Sequence, residues 1–229
     1  MSCTHKFFGH SAHLGGNNGL LPNWKVKTIF IGTFNPENEF KQDNAAKYYY
    51  GRSRNLFWKV LSAFAGIPEI DNSDYNNQLV FLKKNEIGLT DLLIRINDAN
   101  SDFAEDRRKI STVLDSEIET FKNFEWNTQY IIEFLKTNDV ENVYFTKQGL
   151  GNINSNLNTF ESQIRLIENY CEKNNIFSSR LHTPSGQGLG KGKPRINKLI
   201  NKWYTYQGGN RFNFISENFN SMNFPYVEI

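Results

Sequence analysis

Apolar residues recur along this chain in two patterns, one typical of strands and the other of helices. Apolar runs of strand length predict strands at residues 26–32, 87–93, 140–146 and 176–182. The first of them, 26–32, is apolar nearly throughout, as a strand covered on both faces should be. Apolar positions spaced three or four apart predict helices between them; these are residues 55–66, 75–84, 110–121, 128–137, 157–173 and 195–206. The alternation of the two patterns favours an α/β fold with a parallel sheet.

The pattern continues without an interdomain linker, so we expect a single domain over residues 1–229 with its core at about 24–204. Asn55 is placed to cap the first helix and Gly66 to end it. The two ends do not fit the repeat. Residues 1–22 are rich in glycine and histidine, while 207–229 alternate aromatic and polar residues and predict either an added edge strand or a strap over the core.

Composition narrows the class of protein. A length of 229 residues allows a sizeable core, and the aromatic fraction of 14% predicts that rings supply much of its burial. Cys3 and Cys171 form no CxxC pair, which argues against a zinc ribbon, an iron–sulfur cluster or a disulfide framework. We therefore expect a reducing, cytoplasmic compartment, and no apolar run approaches the length of a membrane helix.

Three loops follow predicted strands, where open parallel sheets bind their ligands. The first is GTFNPENEF, residues 32–40, which matches neither a P-loop nor G-x-G-x-x-G. It offers the amide of Asn35 and the carboxylate of Glu37, although Asn35 could equally cap an ordinary turn. The second loop follows IGLTDLL, residues 87–93.

The third loop contains HTPSG, residues 182–186, and a basic, glycine-rich stretch before the last helix. The net charge of +2 is too small to indicate nucleic-acid binding by itself, but cations concentrate here. Such a loop at a helix N-terminus suits phosphate. A solvated basic loop without a partner is the alternative.

Between the first two loops lies KYYYGRSRNLFWKVL, residues 47–61, in which aromatic residues neighbour Arg52 and Arg54. This combination suits a flat heterocycle with phosphates nearby. Alternatively, Phe57 and Trp58 belong to the core. His5, His10 and His13 could be taken for a metal cluster, but their glycine-rich surroundings favour a flexible end, and no metal site is predicted.

The segments IGTFNP, GRSRNLFWKVLSAFAGI, IGLTDLL, VYFTKQGLG and HTPSG together resemble the uracil-DNA glycosylase superfamily. The resemblance spans about residues 24–204 and is nearest to the mismatch-specific uracil/thymine and hypoxanthine-DNA glycosylase branches. It implies a three-layer α/β/α sandwich around a four-stranded parallel sheet. It also implies a monofunctional enzyme of base excision repair that hydrolyses the N-glycosidic bond of a flipped-out deaminated or mismatched base, uracil above all.

The same resemblance assigns roles to residues. Asn35 would position the attacking water, with Glu37 as the other candidate, and His182 would hydrogen-bond the departing base. The base-binding group is implied to be Gly32, Thr33, Phe34, Tyr50, Asn55 and Phe57, with Phe57 as the stacking ring. The DNA-binding group is implied to be Thr183, Ser185, Gly186, Lys191 and Lys193. No cofactor is implied. The expected partner is DNA, either duplex or single-stranded, bound by a monomer that does not engage membranes.

Two other functions are compatible with these residues. A binding module on the same fold could recognise nucleic acid or a modified nucleotide without cleaving it. A small-molecule hydrolase using Ser185 and His182 is less favoured, because no G-x-S-x-G elbow is present.

Overall fold

Seven strands and seven α-helices are present in the computed structural model, which describes residues 2–10, 19–40, 46–112, 114–149, 158–189 and 195–225. The strands are β1 (Cys3–Thr4), β2 (Thr28–Gly32), β3 (Ile87–Asp91), β4 (Leu93–Ile96), β5 (Phe124–Trp126), β6 (Asn142–Phe145) and β7 (Phe177–Arg180). The helices are α1 (Phe57–Ala65), α2 (Tyr75–Lys84), α3 (Ala104–Ser111), α4 (Asp115–Ile118), α5 (Thr128–Thr137), α6 (Phe160–Lys173) and α7 (Arg195–Asn201).

Four strands form the predicted parallel sheet, in the order β3-β2-β6-β7. Helices cover both of its faces, which confirms the three-layer α/β/α sandwich. The register places Gly32, the last residue of β2, beside Asp91, the last residue of β3. The carboxyl ends of the two strands, and the loops that follow them, are therefore neighbours.

The central strands are apolar throughout because each of their faces meets a different core. Phe30 and Tyr144 point to one face, where they pack with side chains of α1, α2 and α7. Ile29 and Ile31 point to the other, where they pack with side chains of α5 and α6. All four side chains are at most 1% exposed. Every residue of β2 is thus buried, as the apolar run at residues 26–32 predicted.

A second sheet, of antiparallel strands in the order β1-β4-β5, was not predicted. The run 87–93 that suggested one strand is divided at Leu92, so that Leu93 begins β4 in the other sheet. The predicted helix at 110–121 is also wrong. The chain there forms two short helices, α3 and α4, with Thr112 following the end of α3.

The boundaries of α2 and α5 match the predictions, whereas those of α1, α6 and α7 differ by a few residues. Gly66 ends α1 at φ 64°, as expected, but the N-cap of α1 is Leu56. Asn55 lies one residue earlier, and its Oδ1 accepts the backbone N–H of Phe57 at 2.9 Å. The last predicted helix is α-helical only to Asn201 and continues as a π-helix over Lys202–Tyr206.

The N-terminal segment, residues 2–10, is built into the fold, so the expectation of a flexible end is wrong for that part. β1 pairs with β4, and the next residue, His5, donates its backbone N–H to the Ile94 carbonyl at 2.7 Å. His5 is 2% exposed. His13 lies outside the described residues.

The C-terminal segment, residues 207–225, is a strap over the core and contains no strand. Phe212 is buried against Phe30, Phe64 and Tyr144. The Ser216 N–H donates to the Phe64 carbonyl at 2.8 Å. Within the described part of the chain, no helix has both the length and the apolar character needed to cross a membrane.

Candidate active site

A cleft of about 760 Å³ opens at the carboxyl ends of β2, β3 and β6. It is lined by residues of segments 32–35, 50–55, 114–116, 146–149 and 182–188, together with Asp91. The first and third of the loops singled out by topology therefore meet at one site. The segment that follows IGLTDLL continues β4 and is not part of the described lining, to which the IGLTDLL run itself contributes Asp91. Segments 114–116 and 146–149 form a further part of the wall, where Lys147 and Asp115 make an ion pair at 2.6 Å.

The floor of the cleft holds a buried carboxylate, Asp91, which is 1% exposed. Its Oδ2 accepts the Asn35 Nδ2–H at 2.7 Å and is 2.8 Å from the His5 Nε2. Asp91 lies within the quoted IGLTDLL segment but was not among the predicted site residues. A carboxylate ending a strand beside the Gly32 loop was the signal that could have identified it.

Backbone contacts determine which nitrogen of His5 carries the proton. The His5 Nδ1 accepts the backbone N–H of Phe7 at 3.1 Å, so it must be unprotonated. The imidazole is therefore the neutral tautomer with its hydrogen on Nε2, and this N–H donates to Asp91. The ring is enclosed by the side chains of Phe7, Phe34 and Tyr49.

The other oxygen of Asp91, Oδ1, accepts no hydrogen bond from the described residues. It lies against the Cα of Gly32, where an added Cβ would overlap it and would also approach the Tyr50 hydroxyl at 3.1 Å. Glycine is required at position 32 because this carboxylate occupies the space of a side chain. Gly32 thus lines the site as predicted, and its missing side chain leaves space for the Asp91 carboxylate.

Tyr50 presents an aromatic ring to the cleft. The ring stacks on Phe57 with centroids 3.9 Å apart, and its hydroxyl is 3.0 Å from the Thr146 Oγ1. Burial, followed by the charge of Asp91, raises the Tyr50 pKa, so the hydroxyl stays neutral. Tyr50 also has a φ of 55°, a conformation rare for an aromatic residue.

Phe57 was predicted as the stacking ring, and the structure does not place it there. It is 0% exposed, lies behind Tyr50, and is not among the described residues that line the cleft. The reason is its position in the first turn of α1, which directs the ring into the core against Phe30 and Trp58. Tyr50 is the ring that a ligand would meet.

Glu37 is likewise not brought to the cleft. Its Oε1 accepts the backbone N–H of Thr4 at 2.9 Å, and its own N–H donates to the Thr4 carbonyl at 3.1 Å. The carboxylate therefore anchors β1, and it is absent from the described cleft lining. Of the two candidates for holding water, only Asn35 faces the site. Thr33 and Phe34 also line it, with Phe34 6% exposed.

Asn55, Arg52 and Arg54 form the wall beside Tyr50. The Asn55 side-chain oxygen accepts from Phe57, as described above, which holds its amide at the cleft. Arg52 is half-buried, and burial lowers its pKa. It forms no salt bridge with an acidic side chain of the described residues. A desolvated guanidinium without a counter-charge is a suitable partner for an anion.

His182 is fixed by contacts on four sides. Its Nε2 is 2.8 Å from the Gln187 carbonyl and must donate to it, which leaves Nδ1 of the neutral ring as an acceptor 3.0 Å from the end of the Gln148 side-chain amide. The backbone N–H donates to the Gln207 Oε1 at 2.7 Å, and the carbonyl accepts from the Trp203 indole at 2.9 Å. His182 is the residue expected to hydrogen-bond the departing base, and in this structure its Nε2 proton is directed into its own loop.

Of the residues predicted to contact DNA, some line the cleft and others do not. Thr183 and Ser185 line the cleft, with their hydroxyl oxygens 3.1 Å apart. Gly186 has a φ of 74° and lies in the same loop, but outside the described lining. Lys191 and Lys193 fall outside the described residues. No group of three or more His, Cys, Asp or Glu side chains suited to a metal ion is found in the parts of the chain that the structure describes.

Comparison with known proteins finds one weak structural similarity and no match in sequence. No protein-family model matches the chain, and no curated protein matches it. Among solved structures, it is similar to the solution NMR structure of a "putative Uracil DNA glycosylase" from Methanosarcina acetivorans. The two share 16% sequence identity with a TM-score of 0.41, and the match covers 77% of this chain and 88% of the other. Such a similarity carries no argument about chemistry, which has to come from the cleft itself.

Proposed function

We propose that this chain is a monofunctional DNA glycosylase that hydrolyses the N-glycosidic bond of a flipped-out deaminated or mismatched base, with uracil as the preferred base. It would act in base excision repair, as a cytoplasmic monomer that uses no cofactor. The observation that carries the proposal is the Asn35–Asp91 hydrogen bond of 2.7 Å in the floor of a cleft that also presents the ring of Tyr50.

Each part of the cleft has a use in such a reaction. An extruded base needs a flat surface on which to stack, and Tyr50 offers one that is itself backed by Phe57. The Asn35 amide N–H is already bound to Asp91, which leaves its carbonyl oxygen to accept from a water molecule. The Arg52 guanidinium stands at the wall, where a phosphate of the flipped nucleotide would pass.

The charge of the floor suits the bond that is broken. Cleavage of an N-glycosidic bond develops positive charge on the sugar, and a carboxylate close to the sugar stabilises that charge. Asp91 is the carboxylate available in the floor. Thr183 and Ser185 also line the cleft, in a loop whose Pro184 carbonyl accepts the Leu56 N–H at 2.8 Å, and they offer hydroxyls to the backbone of the bound strand.

The proposal is tested by incubating the protein with duplex and single-stranded oligonucleotides that carry uracil, hypoxanthine or mismatched thymine, followed by alkaline cleavage of abasic sites. We expect strand breaks with uracil first. Asn35→Ala should lower the excision rate about 100-fold. Tyr50→Ala should weaken it about 10-fold through lost stacking.

Asn38→Ala is the matched control, because Asn38 is an exposed asparagine of the same loop and lies outside the described cleft lining. It should retain the wild-type rate. If no substrate yields an alkali-sensitive product, the chain is not a glycosylase. Salt-sensitive DNA binding without base release would then identify a binding module instead.

A further inference from the structure

The N-terminal segment reaches the floor of the cleft with a single polar side chain, His5. The segment continues from β1 and is held by two backbone hydrogen bonds, each 2.7 Å long. The His5 N–H donates to the Ile94 carbonyl, and the Lys6 N–H donates to the Asn35 carbonyl. The segment thus lies between β4 and the loop of Asn35. No resemblance or comparison assigns a role to this histidine or to Asp91.

The hydrogen bonds of Asp91 are distributed unequally between its two oxygens. Oδ2 accepts both donors, the His5 Nε2–H at 2.8 Å and the Asn35 Nδ2–H at 2.7 Å. Oδ1 accepts none from the described residues and lies against Gly32 at the cleft. The two donors fix the orientation of the carboxylate, and the second oxygen keeps its lone pairs for another partner.

A purely structural carboxylate would be expected to have different neighbours. Buried carboxylates that serve stability are usually paired with a cation, because an uncompensated buried charge is costly. Arg180 with Glu161 and Glu168 is such a pairing elsewhere in this chain. Asp91 has two neutral donors instead, since His5 is held in its neutral tautomer by Phe7. Its negative charge is therefore left to act on whatever occupies the cleft.

We propose that Asp91 is the catalytic base of this site and that His5 is a positioning residue which holds the Asp91 carboxylate in its reactive orientation. The inference rests on the proposed glycosylase function. In the step, the oxygen of a water molecule bonds to C1′ of the deoxyribose while the bond from C1′ to the base nitrogen breaks. The bonding pair leaves with the base as an anion, and a proton of the water passes to the Asp91 Oδ1. Asp91 then returns its proton to solvent or to the departing base.

The surroundings of His5 support a positioning role. Its ring is held by the Phe7 N–H and by the side chains of Phe7, Phe34 and Tyr49, so its Nε2–H has one fixed direction. Asn35 holds the same Asp91 oxygen from the other side and lies within reach of the same water. Two residues distant in sequence, His5 and Asn35, thus fix one oxygen of the Asp91 carboxylate. That geometry is expected to matter for the chemical step more than for DNA binding.

The test is single-turnover excision of uracil with enzyme in excess, alongside binding of a duplex that carries a non-hydrolysable 2′-fluorinated deoxyuridine. Asp91→Asn keeps the shape of the side chain and should reduce the single-turnover rate about 100- to 10,000-fold. His5→Phe removes the donor but keeps a ring, and should reduce the rate about 10- to 100-fold. Both should bind the analogue within about threefold of wild type.

His5→Gln is the matched control, because its side-chain amide can donate to Asp91 in place of Nε2. It should recover most of the rate that His5→Phe loses, which a role in stability alone would not require. If His5→Phe does not fold, as judged by circular dichroism, His5→Gln is compared with His5→Asn, whose amide is too short to reach Asp91.

The outcomes separate this inference from the function on which it rests. An inactive wild-type protein contradicts the glycosylase proposal itself. An active wild-type protein with an Asp91→Asn variant within threefold of its rate overturns the assignment of Asp91 alone. Equal rates for His5→Phe and His5→Gln overturn the positioning role of His5, whichever value they share.

Discussion

The N-terminal segment, residues 2–10, and the C-terminal segment, residues 207–225, both contact residues that line the cleft, but they contact different parts of it. The N-terminal segment brings one side chain, His5, into hydrogen-bond contact with the Asp91 carboxylate. The C-terminal strap begins at Gln207, whose side-chain oxygen accepts the backbone N–H of His182 in the loop at residues 182–188. The N-terminal segment thus contacts a reactive group, the Asp91 carboxylate, whereas the C-terminal segment fixes the backbone of a loop that lines the cleft.

This difference predicts which substitutions should lower the rate of the chemical step and which should weaken DNA binding. A change that disturbs Asp91 alters the orientation of a reactive group, so it should appear in the rate of the chemical step. A change that loosens the His182 loop alters the surface offered to DNA, so it should appear mainly in binding. The following predictions test that division, beginning with the largest effect.

Gly32→Ala should disturb the floor from the side opposite His5. The new methyl would overlap the Asp91 Oδ1 while both donors to Oδ2 stay in place. We expect the single-turnover rate of uracil excision to fall about 100-fold or more, because the carboxylate must turn away from the cleft. Binding of the non-hydrolysable duplex should change much less.

Gly88→Ala is the control for general damage to the sheet. Gly88 lies in the adjacent strand β3, near the end of the sheet away from the cleft, where a Cβ would meet Pro22 and Val26 at 3.1 Å. This variant should lose stability in urea denaturation while keeping its excision rate. If the two variants lose activity equally, the effect of Gly32→Ala reports folding and not the position of Asp91.

The parallel sheet could be predicted from the sequence because β2, β3 and β6 lie in mainly apolar runs and are buried along their whole length, whereas β7, at the edge, is only partly buried. The second sheet could not, since β1 has two residues and β5 has three, which is too few to show a period. Asn35, Tyr50 and His182 line one cleft, as expected where topology gathers the loops at the carboxyl ends of parallel strands, and their roles there stay predictions.

The contribution of His5 was beyond sequence reasoning. It lies 86 residues from Asp91 along the chain, beside a glycine-rich stretch that suggested a flexible end. Only the pairing of β1 with β4 brings the two together. Glu37 shows the converse, since a plausible catalytic carboxylate is used instead to bind the Thr4 N–H. Local sequence identifies reactive groups, but the partner of each group depends on contacts distant in sequence.

Gln207→Ala should loosen the wall without touching the floor. It removes the acceptor of the His182 N–H, a bond of 2.7 Å, in a side chain that is 7% exposed. Leaving that N–H without a partner should lower the free energy of unfolding by about 1–2 kcal/mol. We expect the KM for a uracil duplex to rise about threefold to tenfold while kcat stays near wild type.

Gln207→Glu retains an acceptor oxygen at the same position and serves as the comparison for this variant. It should recover part of the lost affinity, measured with the same duplex. A fall in kcat as large as that of His5→Phe would contradict the division between the two ends, because it would show that the strap also orients the reacting groups.

The smallest expected effect is the pH dependence that His182 gives to stability. Burial, reinforced by Lys202 and opposed by the bond to the Gln187 carbonyl, lowers the pKa of His182 below its ordinary value of about 6.5. Between the lowered folded-state pKa and about 6.5, the unfolded chain binds more protons, so the free energy of unfolding should decrease as pH falls through that window. His182→Gln should flatten this part of the curve in denaturant titrations from pH 7.5 to 5.

Burial also lowers the pKa of His10 in the N-terminal segment, so His10→Gln should flatten the curve in the same direction. A curve left unchanged by both substitutions would show that neither histidine changes its protonation when the chain unfolds.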